Sequence, residues 1–491
     1  MSVKRICIYN YRFLFQIMYK LLQLLCMLCA THLCVAYKVL LLCPMPGRSH
    51  MVLSHGVARL LLEAGHEASF FTFFKIIIIM KLMNKEVDVQ GINVIVPLFL
   101  SIHVGMFEHE NVKKLVYDHN EQFDVVIAEW LMGAVFNCPF IWLSTIDPHW
   151  LVLRLIDELP NPAYVVDSRS SGVVPYSFTK RVHELMKIHK EYERVIVPMI
   201  RHRGHKVPDF EELRYNVSLM LGNSHVSMGS AVRLPQSYKV VGGYHINPNV
   251  KPLPEDLQKL LDGANNGLIY FSMGSILRGE HWPKAVKDNL LKLFGNLKQT
   301  VIWKFEEDLP NRPKNVHLLQ WAPQESILAH PNCILFITHG GQLSTTEAIH
   351  FAKPIIGVPV FGDQNNNVDT AVNRGYAKKV ELTHNLAEDL SKAIDEILAD
   401  PSYAAKVKEL SMIYHDRPVP PGKELVHWVE HVVRTGGALH LRSPALLVPW
   451  YQKLYLDLVV IIIITMYCLY LLFKKLGRIV ISKIQLKKKT Q

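Results

Sequence analysis

Residues 321–367 read WAPQESILAHPNCILFITHGGQLSTTEAIHFAKPIIGVPVFGDQNNN, and this stretch decides the fold. The run CILFIT is continuously apolar and of strand length, and it ends on His339 and the glycine pair Gly340-Gly341. A helical pattern follows, read as opened by Ser344 and Thr345 with Glu347 in its first turn, and then a second apolar run, PIIGVPVF. Strand, glycine turn, helix and strand make the βαβ unit of a parallel sheet, whose strands are buried on both faces and need no polar alternation. Glycines at such a turn let an anion approach the backbone, and the free N–H groups and positive end of the helix bind it.

The same alternation runs outward in both directions. Upstream are YKVLLLC, a helix from about Met51 to Ala64 stopped by Gly65, ASFFTFF, DVVIAEW, FIWLST, SLMLGNS and YKVVGG. The proline-bearing link YHINPNVKPLPED then leads to GLIYFSMGS, QTVIWKF and VHLLQW. Two such series predict an α/β chain of two doubly wound domains, residues 37–242 and 256–449, joined by a linker at 243–255. Ligands of such domains sit at the C-terminal ends of the strands, in the cleft between them. Residues 74–115 carry apolar runs of no clear period and receive no assignment.

Around the glycine turn, every part of a nucleotide sugar has a partner. His339 can donate to a phosphate oxygen, Trp321 offers a stacking platform, Glu347 suits ribose hydroxyls, and Asp363-Gln364 suit sugar hydroxyls. Residues 321–367 resemble the signature of the UDP-glycosyltransferases, in a form most similar to the insect members, and STTEAIHF, VFGDQ, FNCPFIW and WYQKLYLD support the likeness. It covers most of residues 37–475 and is strongest in the second domain. The resemblance implies a GT-B fold and an inverting, metal-independent hexosyl transfer, with no cofactor and with UDP-sugar as co-substrate. It assigns uracil stacking to Trp321 with help from Gln324, ribose to Glu347, the diphosphate to Ser275, His339, Gly341 and Ser344, and the sugar to Asp363 and Gln364. The sequence contains no Asp-x-Asp, and a helix N-terminus can meet the diphosphate charge instead.

An inverting transfer needs a base for the acceptor hydroxyl. In LLCPMPGRSHMVLSHG (41–56), His50 follows Ser49, read as an N-cap, and a helix N-terminus is expected to keep its ring neutral. Leu53, Val57 and Leu61 share its helical face, whereas His55 lies on another, near Arg59 and Glu63. The resemblance also places the base after a serine here. Its partner would be Glu129, at the end of DVVIAEW, where the family usually has aspartate, while Asp124 at the strand's start points away. The stretches 74–115 and LMGAVFNCPF are shorter than the family's, and both fall on the acceptor side. Two functions therefore stand. One is sugar transfer, glucose by likeness, to a hydroxyl of a small lipophilic acceptor. The other is a catalytically weak UDP-sugar-binding partner subunit, and either could form homo- or hetero-oligomers.

The formal charge of +11 first suggests nucleic acid, but residues 1–36 and 474–491 carry all of the excess and contain no acid. A nucleic-acid protein would put it on the folded body, so that class is set aside. Residues 1–36 read as a secretory signal with an uncleaved anchor as the alternative, and 454–473 as a transmembrane helix before a basic cytosolic tail. Lys488-Lys489 fits a dilysine retrieval pattern, so the expected location is the endoplasmic-reticulum membrane, single-pass, with a luminal body. Three cysteines outside leader and anchor make no disulfide scaffold, and one sequon stands at Asn216. His427-Trp428-Val429-Glu430-His431 matches an inverted zinc-peptidase pattern, and a zinc hydrolase is the distant rival.

Overall fold

Strand β1 (Lys38–Cys43) is buried from Val39 onward, as a central parallel strand requires. The computed structural model describes residues 36–43, 48–72, 110, 122–129, 138–148, 153, 156, 217–229, 232–275, 282–360 and 362–489. The leader up to residue 35, most of 74–115, residues 130–137 and Asn216 lie outside them. The chain divides into a body, residues 1–441, and a tail, residues 442–491.

The body holds two six-stranded sheets in which every pairing is parallel. The first comprises β1, β2 (Glu67–Thr72), β3 (Val125–Glu129), β4 (Phe140–Ser144), β5 (Leu219–Gly222) and β6 (Tyr238–Val240), in the order β2-β1-β3-β4-β5-β6. The second comprises β7 (Leu268–Ser272), β8 (Thr300–Lys304), β9 (Val316–Leu319), β10 (Cys333–Thr338), β11 (Ile355–Gly357) and β12 (Ala377–Lys379), in the order β12-β11-β10-β7-β8-β9. Strand order reverses between β1 and β3 in the first sheet and between β7 and β10 in the second. Those are the switch points where ligands bind beyond the strand ends.

Helix α1 (Arg48–Glu63) covers the first sheet with Leu53, Val57 and Leu61 and stops at Gly65, whose φ is +87°. In the second domain lie α2 (Glu255–Asp262), α3 (Lys284–Gly295), α4 (Gln324–Ala329), α5 (Gln342–His350), α6 (Gln364–Asn373), α7 (Leu386–Ala399) and α8 (Ser402–His415). Alternate residues of β7 feed opposite cores: Ile269 and Phe271 join α3 and α7, while Leu268 and Tyr270 join α2, α4 and α8. Helix α9 (Pro421–Arg434) returns to the first sheet, burying Leu425, Val429 and Val432 beside α1. It packs so closely that a Cβ on Gly422 would lie 2.6 Å from Leu60.

The expected linker is no loose tether at its start. Residues 241–246 are buried, and Gly242 and Gly243 run where a Cβ would collide with Ser224 backbone and the Tyr414 hydroxyl respectively. Gly243 also has φ +89°, which only glycine adopts cheaply.

In the tail, α10 (Trp450–Lys453) precedes α11 (Leu456–Lys489). By length and composition, Leu456–Ser482 of α11 could cross a membrane. It starts two residues later than the expected span, and the basic stretch continues the same helix instead of leaving it.

Candidate active site

The two switch points supply the two halves of the site. At the first, the register Leu42↔Ala128 sets Glu129 level with Cys43, and α1 begins just beyond. His50, in the first turn of α1, places Nδ1 2.7 Å from Glu129 Oε1. The Glu129 side chain is 3% exposed and that of His50 24%. Burial opposes the imidazolium, but the charge and hydrogen bond of Glu129, with a smaller contribution from Asp363, outweigh it. The pKa of His50 therefore lies above the ordinary histidine value. This reverses the expectation from the helix N-terminus alone, because a carboxylate in contact outweighs a partial dipole. Ser49 lies inside the helix, not at its cap. Asp124, at the far end of β3, accepts the Lys38 N–H at 2.7 Å, away from the cleft, and His55 is exposed against Phe70.

At the second switch point, His339 lies between two glycine turns. A Cβ on Gly274 would come within 2.7 Å of its Cε1, and one on Gly341 within 2.7 Å of its Nε2. Only glycines let this imidazole occupy the space between β7 and β10. Burial and the Lys304 ammonium push its pKa down to about 4, so it is a neutral donor at physiological pH. Ser275 follows Gly274 in the same turn.

Helix α5 begins at Gln342 with Gly341 at its N-cap, two residues earlier than the serine suggested. Glu347 thus sits in the second turn, beyond Ser344. Gln324 opens α4 and ties the group together: its Nε2 donates to Glu347 Oε2 at 2.6 Å and to Ser344 Oγ at 3.3 Å, and its Oε1 accepts from the Tyr270 hydroxyl at 3.2 Å. Trp321, just ahead, is 58% exposed, and the Arg48 guanidinium lies 4.7 Å from its ring centroid. Asp363 precedes α6, accepts from Asn367 Nδ2 at 2.8 Å, and has its pKa raised by burial. Gln364 is buried, and its Oε1 accepts the Val360 N–H at 2.8 Å, bracing the loop that presents Asp363.

Several residues of the site carry no signal in the sequence. Gln342 Nε2 donates to Asp147 Oδ1 at 3.1 Å and to the Asn223 carbonyl at 3.3 Å, joining the two halves. Burial and the neighbouring Asp363 push the Asp147 carboxyl up to about 7. Arg374 donates to the carbonyls of Val226 and Gly229. Asp147 and Arg374 belong to no local motif, and Gln342, although inside the 321–367 stretch, meets partners that this stretch does not name.

The zinc-like pattern is taken apart by its surroundings. Glu430 pairs with His66 at 3.2 Å and with Arg434, while His431 faces His440 at 3.0 Å. Among the described residues, no group of three or more His, Cys, Asp or Glu is placed to hold a metal ion.

Comparison with known proteins bears on the family and the fold. Residues 176–491 match the family model described as UDP-glucoronosyl and UDP-glucosyl transferase. The chain is 32% identical over 387 residues to UDP-glycosyltransferase UGT5 of Dactylopius coccus, covering 73% of this chain and 72% of the relative. It is 35% identical over 400 residues to UDP-glucuronosyltransferase 2B15 of Homo sapiens, covering 74% and 73%. The crystal structure of the calicheamicin glycosyltransferase CalG4 superposes with a TM-score of 0.56 at 15% identity, over 82% of this chain and 100% of that one. That likeness carries the GT-B fold alone. With the family match spanning the second domain and both relatives aligned over most of their length, the chain belongs to the UDP-glucuronosyl and UDP-glucosyl transferase family.

Proposed function

We propose that this protein transfers a hexosyl group, glucose by its insect likeness, from UDP-sugar to a hydroxyl of a small lipophilic molecule, with inversion. The observation that carries the reading is the His50–Glu129 contact of 2.7 Å at the cleft end of the first sheet. With Nδ1 turned to Glu129, Nε2 is the nitrogen that can take a proton. The acceptor oxygen attacks the anomeric carbon as its proton passes to His50 Nε2, and the bond from that carbon to the diphosphate oxygen breaks on the opposite face. Glu129 keeps the ring oriented and balances the imidazolium that forms.

UDP leaves with its negative charge facing the N-terminus of α5, with His339 donating one N–H. Trp321 stacks uracil, Gln324 and Glu347 hold the uridine, Ser275, Gly341 and Ser344 line the diphosphate, and Asp363 with Gln364 behind it reads the sugar. No metal or organic cofactor is assigned a role. We place α11 as a single span of the endoplasmic-reticulum membrane with the body luminal, which suits acceptors that partition into lipid.

Microsomes carrying the full chain, given UDP-glucose, UDP-glucuronic acid or UDP-N-acetylglucosamine with a panel of phenols, test the reading. Conjugates from UDP-glucose are expected. Tight UDP binding without turnover of any donor–acceptor pair would favour the partner-subunit function instead.

A further inference from the structure

The buried segment Tyr244-His245 touches both halves of the site. A Cβ on Gly56 of α1 would lie 3.1 Å from His245 Cα and 3.3 Å from its Cβ, so the helix that carries His50 rests on this residue. On its other side, His245 Nε2 faces Glu347 Oε1 at 3.6 Å. The His245 side chain is 0% exposed, and neither ring nitrogen makes a hydrogen bond among the described residues. A buried imidazole without a hydrogen bond is costly and calls for a reason. The glycine passage at 242–243 fixes its place by close backbone approach rather than by side-chain adjustment.

Glu347 explains what this imidazole can do. Its carboxylate is 7% exposed, and Gln324 holds Oε2 at 2.6 Å. A terminal carboxylate torsion is broad, so one hydrogen bond does not fix its plane. A second donor on Oε1 would fix it. At 3.6 Å the His245 contact is longer than a hydrogen bond, and such contacts often tighten only when ligand arrives.

We propose that His245 is a positioning residue for donor recognition: its Nε2–H closes onto Glu347 Oε1 when UDP binds, and so sets the carboxylate for the ribose hydroxyls. The inference rests on the reading of Glu347 as the ribose ligand. It predicts that His245 matters for nucleotides that carry ribose hydroxyls and for no others.

The test measures the affinity of UDP and of 2′,3′-dideoxyuridine diphosphate for the detergent-solubilised full chain, as wild type and as His245→Phe, His245→Gln and Glu347→Gln. The wild type is expected to prefer UDP by about tenfold or more, the worth of a hydrogen bond to a charged group. His245→Phe should lose most of that preference while binding the dideoxy nucleotide within about twofold of wild type. His245→Gln, whose amide can still donate, should recover part of it. Glu347→Gln should lose the preference as well. Equal weakening of both nucleotides in His245→Phe, with no recovery in His245→Gln, would assign His245 a packing role and overturn the proposal. Loss of preference in Glu347→Gln with full preference in His245→Phe would overturn it while leaving the ribose reading intact. Full preference in Glu347→Gln would remove the ribose reading and the proposal together.

Discussion

His50 Nδ1 and Glu129 Oε1 stand 2.7 Å apart although 79 residues separate them. Parallel pairing of β1 with β3 brings the two strand ends level, and the long glutamate side chain reaches the first turn of α1. The contact has a signed consequence. Only the neutral ring accepts a proton, and the His50 pKa is raised, so kcat/KM should climb with pH through a midpoint above the ordinary value near ~6.5. Glu129→Gln leaves burial opposed only by the more distant Asp363, so the midpoint should fall and the plateau should drop by about 10²- to 10⁴-fold. A pH profile of both proteins checks this, and an unmoved midpoint would dissociate Glu129 from the base.

The same pair gives a stability prediction. A folded-state pKa above the unfolded value stabilises fully below the unfolded pKa, and the contribution disappears as pH rises through the folded pKa. Glu129→Gln should therefore lower the melting temperature more at about pH 6 than at about pH 9. Thermal melts at the two values measure the difference.

His339 between two glycines predicts a double-mutant coupling. Gly341→Ala would bring a Cβ within 2.7 Å of His339 Nε2, an overpacking worth ~1–3 kcal/mol, and UDP affinity should fall by about tenfold. His339→Ala opens the space, so the combined variant should regain most of the stability lost in Gly341→Ala while UDP binding stays weak. Denaturant melts and calorimetric titration with UDP separate the two effects.

Trp321 is largely exposed, so its removal should hardly affect folding. In Trp321→Ala, loss of a base-stacking platform should still weaken UDP by roughly ten- to a hundredfold, as aromatic–base stacking does elsewhere. Trp321→Phe should retain part of that affinity. Equilibrium binding of UDP to the three proteins measures it.

Much of the fold that frames this candidate site is legible in the amino-acid sequence, and the reasons are physical. The runs CILFITHGG and YKVLLLC are buried parallel strands with glycine turns or helix starts at their ends, and such local chemistry leaves a local pattern. Helix starts are less sharply marked. Gly341 caps α5 without a side-chain capping bond although Ser344 is the better cap by type, and Ser344, inside the helix, accepts from Gln324. Strand order leaves no local pattern, since it depends on pairings between distant segments. His245, Gln342 and Asp147 are silent for the same reason. Each acquires its partner only where segments a hundred to nearly two hundred residues apart meet, and although Gln342 lies inside the 321–367 stretch, nothing local names Asp147 as its partner.

The most direct test of the account sets turnover against binding in one preparation. Full-length wild type and His50→Ala are assayed for conjugate formation from UDP-glucose and a phenol, and titrated with UDP in parallel. The account predicts that turnover falls by about 10²-fold or more in His50→Ala while UDP affinity stays within about threefold. Undiminished turnover in His50→Ala would contradict it.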